Sequence, residues 1–197
     1  MLLLSASIVV PTLFTGKDGQ IYMSSNVVPE VAGLRKNFKR LPDLVITQGK
    51  ESKNLSSSKE NAFEMEMDVT PGDDAKTGFI LYNEKGEKVN IYFDMKAGRL
   101  VMDRTESGRT KFGEKAEAHK IEKEFDLHEH REIKEPFRKL NSVNYKNDFA
   151  LGTWAPLSLC DSKTYHLNVF VDKCSIEIFV NGGRIAMTNL VFPTQPY

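Results

Sequence analysis

Phe63, Met65, Met67 and Val69 alternate with Glu64, Glu66 and Asp68, the two-residue period of a strand with one dry and one wet face. Pro71-Gly72-Asp73-Asp74 ends it. Thr77 to Tyr82, Val89 to Met95 and Arg99 to Met102 are three more short β-rich runs, separated by Asn83-Glu84-Lys85-Gly86 and Lys96-Ala97-Gly98. Glycine-bearing turns at such short intervals predict an antiparallel meander. Near the other end, Tyr165, Leu167, Val169 and Val171 alternate with His166 and Asn168. After Asp172-Lys173 the pattern resumes as Ile176, Ile178 and Val180. Asn181-Gly182-Gly183 supplies residues that tolerate positive φ for a tight turn, and Arg184 to Phe192 reads as a last strand. This tally predicts an all-β chain, an antiparallel two-sheet β-sandwich, rather than a parallel α/β sheet.

The remaining segments are of other kinds. Ile8-Val9-Val10, the turn Gly16-Lys17-Asp18-Gly19 and Ile21-Tyr22-Met23 predict an N-terminal hairpin. Met1-Leu2-Leu3-Leu4 has the look of a secretory leader, but no positive residue precedes the short apolar run and Pro11 interrupts it, so a strand fits better. Pro29 to Asn37 predicts a short connecting helix, with proline and an acid at its start. Gln48 to Asn61 is polar and small, a loop. Thr105 to Tyr145 is crowded with charges of both signs. Ile121 with Phe125, and Ile133 with Phe137 and Leu140, sit at helical spacing, yet Phe125 with Leu127 also fits a strand. Periodicity leaves that stretch open, as a solvated excursion or a partner-contacting insertion.

Composition narrows the function classes. The chain has 197 residues, with 27 Lys+Arg against 27 Asp+Glu. That balance supplies no basic footprint for nucleic acid, and no run reaches the roughly 18 apolar residues of a membrane span. Cys160 and Cys174 are too few for a disulfide framework, and free thiols, buried or half-buried, are expected. No cofactor is implied: there is no glycine-rich phosphate loop, no Gly-x-Ser-x-Gly and no His-Glu-x-x-His. His128-Glu129-His130 is the best metal candidate but lacks a third ligand, so no metal site is assigned.

Three acids lie on rigid elements, Asp94, Asp103 and Glu177. A glycosidase needs two carboxylates flanking one bond, but each has a plainer account. Asp103 beside Arg104 suits an ion pair, and Glu177 between Ile176 and Ile178 faces outward or an interface. No catalytic residue is therefore assigned within the chain. Trp154, in the loop-like run Ala150 to Pro156, either caps the core or offers its ring to a sugar.

Two distant stretches carry a family resemblance. Met102-Asp103-Arg104-Thr105-Glu106-Ser107-Gly108 and the run from Val171 and Asp172 through Glu177, Phe179, Asn181, Gly182 and Gly183 resemble the C-terminal β-sandwich of glycoside hydrolase family 32, the invertases, levanases and inulinases. Ala186 to Pro193 is similar to that family's closing strand. Ser5 to Pro11 and Asp18 to Met23 resemble the end of its five-bladed propeller, with Thr12-Leu13 in place of the family's Arg-Glu. Val27 to Val31 with Leu34-Arg35 resembles the linker between the two domains. The likeness is weakest from Gly113 to Asn147.

The resemblance implies a concanavalin-like or jelly-roll sandwich over 41–197, a linker over 29–40 and a remnant of the last propeller blade over 1–28. In the family the nucleophile, the transition-state stabiliser and the acid/base lie in propeller motifs, Asn-Asp-Pro-Asn, Arg-Asp-Pro and Glu-Cys, none of which occurs here. It thus implies a non-catalytic accessory domain, either a fragment or a truncated gene product, of a fructan- or sucrose-hydrolysing enzyme; the parent enzyme is expected to be secreted or periplasmic, while the localisation of this chain stays open. Its partner is the catalytic propeller, its family-motif residues serve structure or an interface, and fructan oligosaccharide is a further candidate partner, with Trp154 the candidate contact if its ring is not a core cap. A homodimer through the N-terminal strand is expected where the propeller is absent. The alternatives are an independent, lectin-like carbohydrate-binding module and, more remotely, a self-contained hydrolase.

Overall fold

The computed structural model describes residues 9–46, 62–73, 75–111, 149–160 and 162–197, with the backbone of 125–126 and 131–132. The polar loop 48–61, His128-Glu129-His130, Met1 to Ile8 and most of the charged stretch lie outside the described residues. Among the described residues twelve strands follow in chain order: β1 Val9–Thr15, β2 Ile21–Val27, β3 Phe63–Val69, β4 Lys76–Tyr82, β5 Lys88–Asp94, β6 Arg99–Glu106, β7 Phe125–Asp126, β8 Arg131–Glu132, β9 Gly152–Pro156, β10 Tyr165–Val171, β11 Ser175–Val180 and β12 Ile185–Leu190.

Two four-stranded antiparallel sheets, ordered β12-β11-β10-β3 and β4-β5-β6-β9, face each other. The alternation seen in the sequence decides which side of each is dry. From one sheet Val89, Ile91, Phe93, Leu100 and Met102 point inward, and from the other Leu167, Val169, Ile176, Ile178 and Val180, all essentially without solvent exposure. The layers meet directly where the Phe93 and Tyr165 rings stack with centroids 4.6 Å apart. Two polar ties also cross the gap: Asn189 Nδ2 donates to Thr153 Oγ1 at 2.7 Å, and Arg104 Nη1 donates to the Leu190 carbonyl at 2.9 Å.

Two elements differ from the sequence expectation, and a third falls where periodicity leaves the alternatives open. The connector is a 3-10 helix over Pro29–Leu34 that stops short of Asn37. Gly33 lies inside it, no side chain caps its start and none of its residues is buried, so nothing offsets the cost of a longer helical run. Strand β6 continues past Met102 to Glu106 through a bulge opposite Lys88 and Asn90. The bulge is held by the Thr105 amide donating to Asp103 Oδ1 at 2.9 Å, and so it carries polar residues that lack apolar alternation. In the charged stretch, Phe125 pairs with Glu132 and Asp126 with Arg131, which favours the strand alternative there.

Both cysteines are free, Cys160 buried and Cys174 half-buried. Burial pushes the Cys160 thiol up to about 11, against the opposing charge of Arg184. The last residues fold back over the meander. Glu87 accepts the Thr194 amide at 2.8 Å, the Thr194 hydroxyl at 2.7 Å and the Asn83 amide at 2.7 Å, while Tyr197 donates to the Ser107 carbonyl at 2.7 Å.

Partial burial acts to raise the Glu87 pKa, but its hydrogen bonds from Asn83 and Thr194 outweigh burial, and the net shift is downward. A carboxylate with a depressed folded-state pKa stabilises the fold above its unfolded value of about 4.3, and that contribution fades as pH falls through the folded value. Glu87→Gln is therefore expected to lower the melting temperature near neutral pH and to narrow its gap to the parent below about pH 4, as measured by thermal melts across pH.

Candidate functional site

The residues of the first motif join the end of β6 to the closing segment of the chain. Asp103 and Arg104 do not form the expected ion pair, because neighbouring strand residues diverge to opposite sides. Asp103 holds the bulge, whereas Arg104 reaches between the sheets to Leu190 and lies 4.2 Å from the centroid of the Phe149 ring. Desolvation lowers the Arg104 pKa, and its Nε is buried without a hydrogen-bond partner, as is Ser107 Oγ. Gly108, at φ +114, accepts a close backbone approach: a Cβ there would lie 2.5 Å from the Phe192 carbonyl oxygen. The Arg109 amide donates to that same oxygen at 2.9 Å. Met102 to Gly108 and Ala186 to Pro193, far apart in the chain, are thus one cluster in space.

The second motif builds two turns. Asp172 shapes the first: its amide donates to the Ser175 carbonyl at 2.9 Å, and its Oδ1 accepts the Lys173 amide at 2.7 Å. Asn181, Gly182 and Gly183 form the second, with φ of 48, 70 and 77° in succession. Asn181 anchors it to the start of β10, donating its amide to the His166 carbonyl at 2.9 Å and accepting the His166 amide on Oδ1 at 2.8 Å.

That second turn receives the N-terminal hairpin. The Ser25 amide donates to the Gly183 carbonyl at 3.0 Å, and a Cβ on Gly183 would collide with the Ser25 carbonyl. Only glycine fits there. Beside it the Arg184 guanidinium lies 4.9 Å from the centroid of the Phe14 ring, and Phe14 stacks on Tyr22 at 5.7 Å. Strand β2 lies against β11 and β12. Further along, Arg35 donates to Glu64 at 2.8 and 2.6 Å and to Glu66 at 2.6 Å, pinning the connector to the outer side of β3. Phe14 and Ser25 were not singled out by sequence reasoning, and Glu64, Glu66 and Arg184 entered it only as strand positions. Their role depends on which segment lies across the sheet, and no local pattern encodes that.

Opposite the side that meets the sandwich, the hairpin is apolar and wet. Leu13 pairs across the ladder with Met23, and Leu13, Ile21 and Met23 are 74, 71 and 64% exposed.

The three acids are not brought together. Asp94 and Asp103 lie on the outer side of β4-β5-β6-β9, where Asp94 is held by Lys76 at 3.3 Å and by the Ala97 amide at 3.0 Å. That amide first, then Lys76, lowers its pKa. Glu177 lies on the outer side of the other sheet, level with Phe170 and Thr188. Carboxylates on opposite outer faces cannot flank one glycosidic bond, and Asp94 and Asp103, although on one face, lie two outward rows apart, about 14 Å along the strands and too far to do so. Phe179 shares that outer face yet is only 4% exposed, edge-on to Phe170 at 6.0 Å. Trp154 is not in a loop: it sits on β9, 53% exposed, with the Arg99 guanidinium 4.0 Å from its ring centroid. Its ring faces solvent and does not cap the core. Among the described residues no group of three His, Cys, Asp or Glu side chains is placed to hold a metal ion.

Comparison with known proteins follows the same outline. The levanase of Bacillus subtilis (strain 168) is 25% identical over 170 residues, which are 85% of this chain and 20% of the levanase. The β-fructofuranosidase of Schwanniomyces occidentalis, solved with fructosyl-erythritol, shares the fold at a TM-score of 0.56 and 18% identity, over 94% of this chain and 34% of that one. The exo-inulinase of Aspergillus awamori matches at a TM-score of 0.46 and 15% identity, over 95% and 30%. The chain therefore spans about a fifth of the levanase and about a third of each solved chain. The family model described as glycosyl hydrolases family 32 C terminal matches residues 30–197, from just after the hairpin to the last residue, and so this chain belongs to the C-terminal domains of glycoside hydrolase family 32.

Proposed function

We propose that the chain is the non-catalytic accessory β-sandwich of a fructan- or sucrose-hydrolysing glycoside hydrolase. In this reading it braces a catalytic propeller and shapes the rim of that propeller's substrate cleft, where fructan oligosaccharide is bound. The observation that carries the reading is the two-sided hairpin. One side is locked to the sandwich at Gly183 and Arg184, and the other leaves Leu13, Ile21 and Met23 in water. Clustered apolar side chains on one face of a short ladder mark a surface that another body covers. The names of the relatives, levanase and β-fructofuranosidase, support the substrate class. In the proposed division, residues 1–28 belong to the last propeller blade, 29–40 to the linker and 41–197 to the sandwich. The family-motif residues Asp103, Arg104, Ser107, Gly108, Asp172, Glu177, Phe179, Asn181, Gly182 and Gly183 serve structure and interface.

Reacting carboxylates belong, on this reading, to the propeller. Binding energy from remote sugar units reaches the reacting centre only through the assembled pair. Where the propeller is absent, the free edge of β1 and the apolar face pair with a second copy.

Gly183→Ala is expected to loosen the hairpin, with hydrogen exchange at the Ser25 amide faster by about tenfold or more. Gly182→Ala is the control: Gly182 has a similar φ of 70°, but a Cβ added there would meet no atom within 4 Å, so the variant carries the backbone penalty without the collision. Equal effects in both variants would remove the seam argument. The chain alone is expected to show no turnover of sucrose, inulin or levan. Turnover that Glu177→Gln or Asp103→Asn abolishes would overturn the accessory reading. Sedimentation velocity should show self-association that rises with concentration and is lost when residues 1–28 are deleted.

A further inference from the structure

We infer that the outer face of β4-β5-β6-β9 is a binding platform for a neutral oligosaccharide, centred on Tyr92 and Trp154. The ladder registers place Gly78, Tyr92, Val101 and Trp154 in one outward row. At a strand spacing of about 4.8 Å, the Tyr92 and Trp154 backbones stand roughly 10 Å apart, with Val101 between them. The next outward row holds Ile80, Asn90, Asp103 and Gly152, about 7 Å along the strands. Two aromatic rings therefore border a strip whose neighbouring row offers an amide and a carboxylate, and Gly152 leaves the surface beside Asp103 unobstructed.

The polar groups of this strip are available. Among the described residues the Asn90 side-chain amide, the Tyr92 hydroxyl and the Trp154 indole N–H have no hydrogen-bond partner. Asp103 uses Oδ1 for the Thr105 amide, which leaves Oδ2 to accept. The aromatic groups are also held in place. Arg99 lies 4.0 Å from the centroid of the Trp154 ring and Lys76 lies 5.4 Å from that of Tyr92. A Cβ on Gly78 would come within 2.5 Å of the Tyr92 Cα, so this strand glycine is what lets the two backbones lie so close.

Charge balance selects the class of ligand. The face carries Lys76, Lys88 and Arg99 against Asp94, Asp103 and Glu106. Lys76 is paired with Asp94 at 3.3 Å and Lys88 with Glu106 at 2.8 Å. A face of zero net charge attracts neither polyanion nor polycation, and a strip flanked by ion pairs does not suit a purely apolar partner. A polyhydroxylated ring meets both demands: its C–H side stacks on an aromatic face and its hydroxyls take up free donors and acceptors. The platform stands apart from the hairpin seam. It rests on the fructan reading only for the choice of sugar.

Trp154 is the single tryptophan of the chain, so its emission reports this face alone. The full chain is titrated with inulin-type and levan-type fructo-oligosaccharides and, separately, with cello-oligosaccharides, and binding is measured in parallel by calorimetry. A saturable emission change with a fructo-oligosaccharide is expected. Trp154→Ala and Tyr92→Ala should each weaken binding by about tenfold or more, the scale of a lost ring contact, while Trp154→Phe keeps most of it. Unchanged circular dichroism and melting in the variants separates lost contact from lost fold. Saturation by cello-oligosaccharide alone upholds the platform and counts against the fructan reading. No saturable response to any of the three sugars overturns the inference, as does calorimetric binding that survives both alanine variants.

Discussion

A β-sheet whose strands alternate apolar and polar side chains has one dry face and one wet face, and it is stable only where the dry face is covered. Here two such sheets cover each other, with Ile91, Phe93 and Met102 meeting Leu167, Val169 and Ile178 in one layer. Most other features descend from that closure. Charged strand residues are driven to the two outer faces, so Asp94 and Glu177 end on opposite sides of the molecule. The open ends of the layer need polar ties, which Arg104 and Asn189 supply from one sheet to the other.

The hairpin is attached by a different principle. Apolar burial plays little part, since none of its large apolar side chains is fully buried and Val10, Leu13, Ile21 and Met23 remain in water. Its position is set by the missing side chain at Gly183, a backbone hydrogen bond from Ser25, a cation over the Phe14 ring and the Arg35 clasp on Glu64 and Glu66. Exposed ion pairs of this kind contribute from about zero to 1 kcal/mol each. The seam therefore determines placement more than it adds stability.

The outer faces divide the work that the inner layer leaves over. One carries the connector, through Arg35 on β3, and an outward Phe179 withdrawn from solvent. The other keeps Trp154 exposed and Tyr92 half-buried beside paired charges. The same strand alternation thus yields one outer face to which the connector is attached and another that no described segment covers.

The sequence alone was enough to determine most of the strands, their dry sides and most of their turns, because a period of two and glycine or asparagine at positive φ are local properties that the chain carries without its neighbours; β9, read as a loop, was the exception. It also carried the family motifs, although not what each residue does. Tertiary structure decided that Arg104 leaves Asp103 for Leu190, that Trp154 stands on an exposed strand, and that Gly183 makes room for Ser25. It also shortened the connector to a 3-10 helix that buries nothing. Those outcomes depend on which distant segment arrives beside each residue, and contact across a fold is set by the packing of whole sheets rather than by any window of the chain.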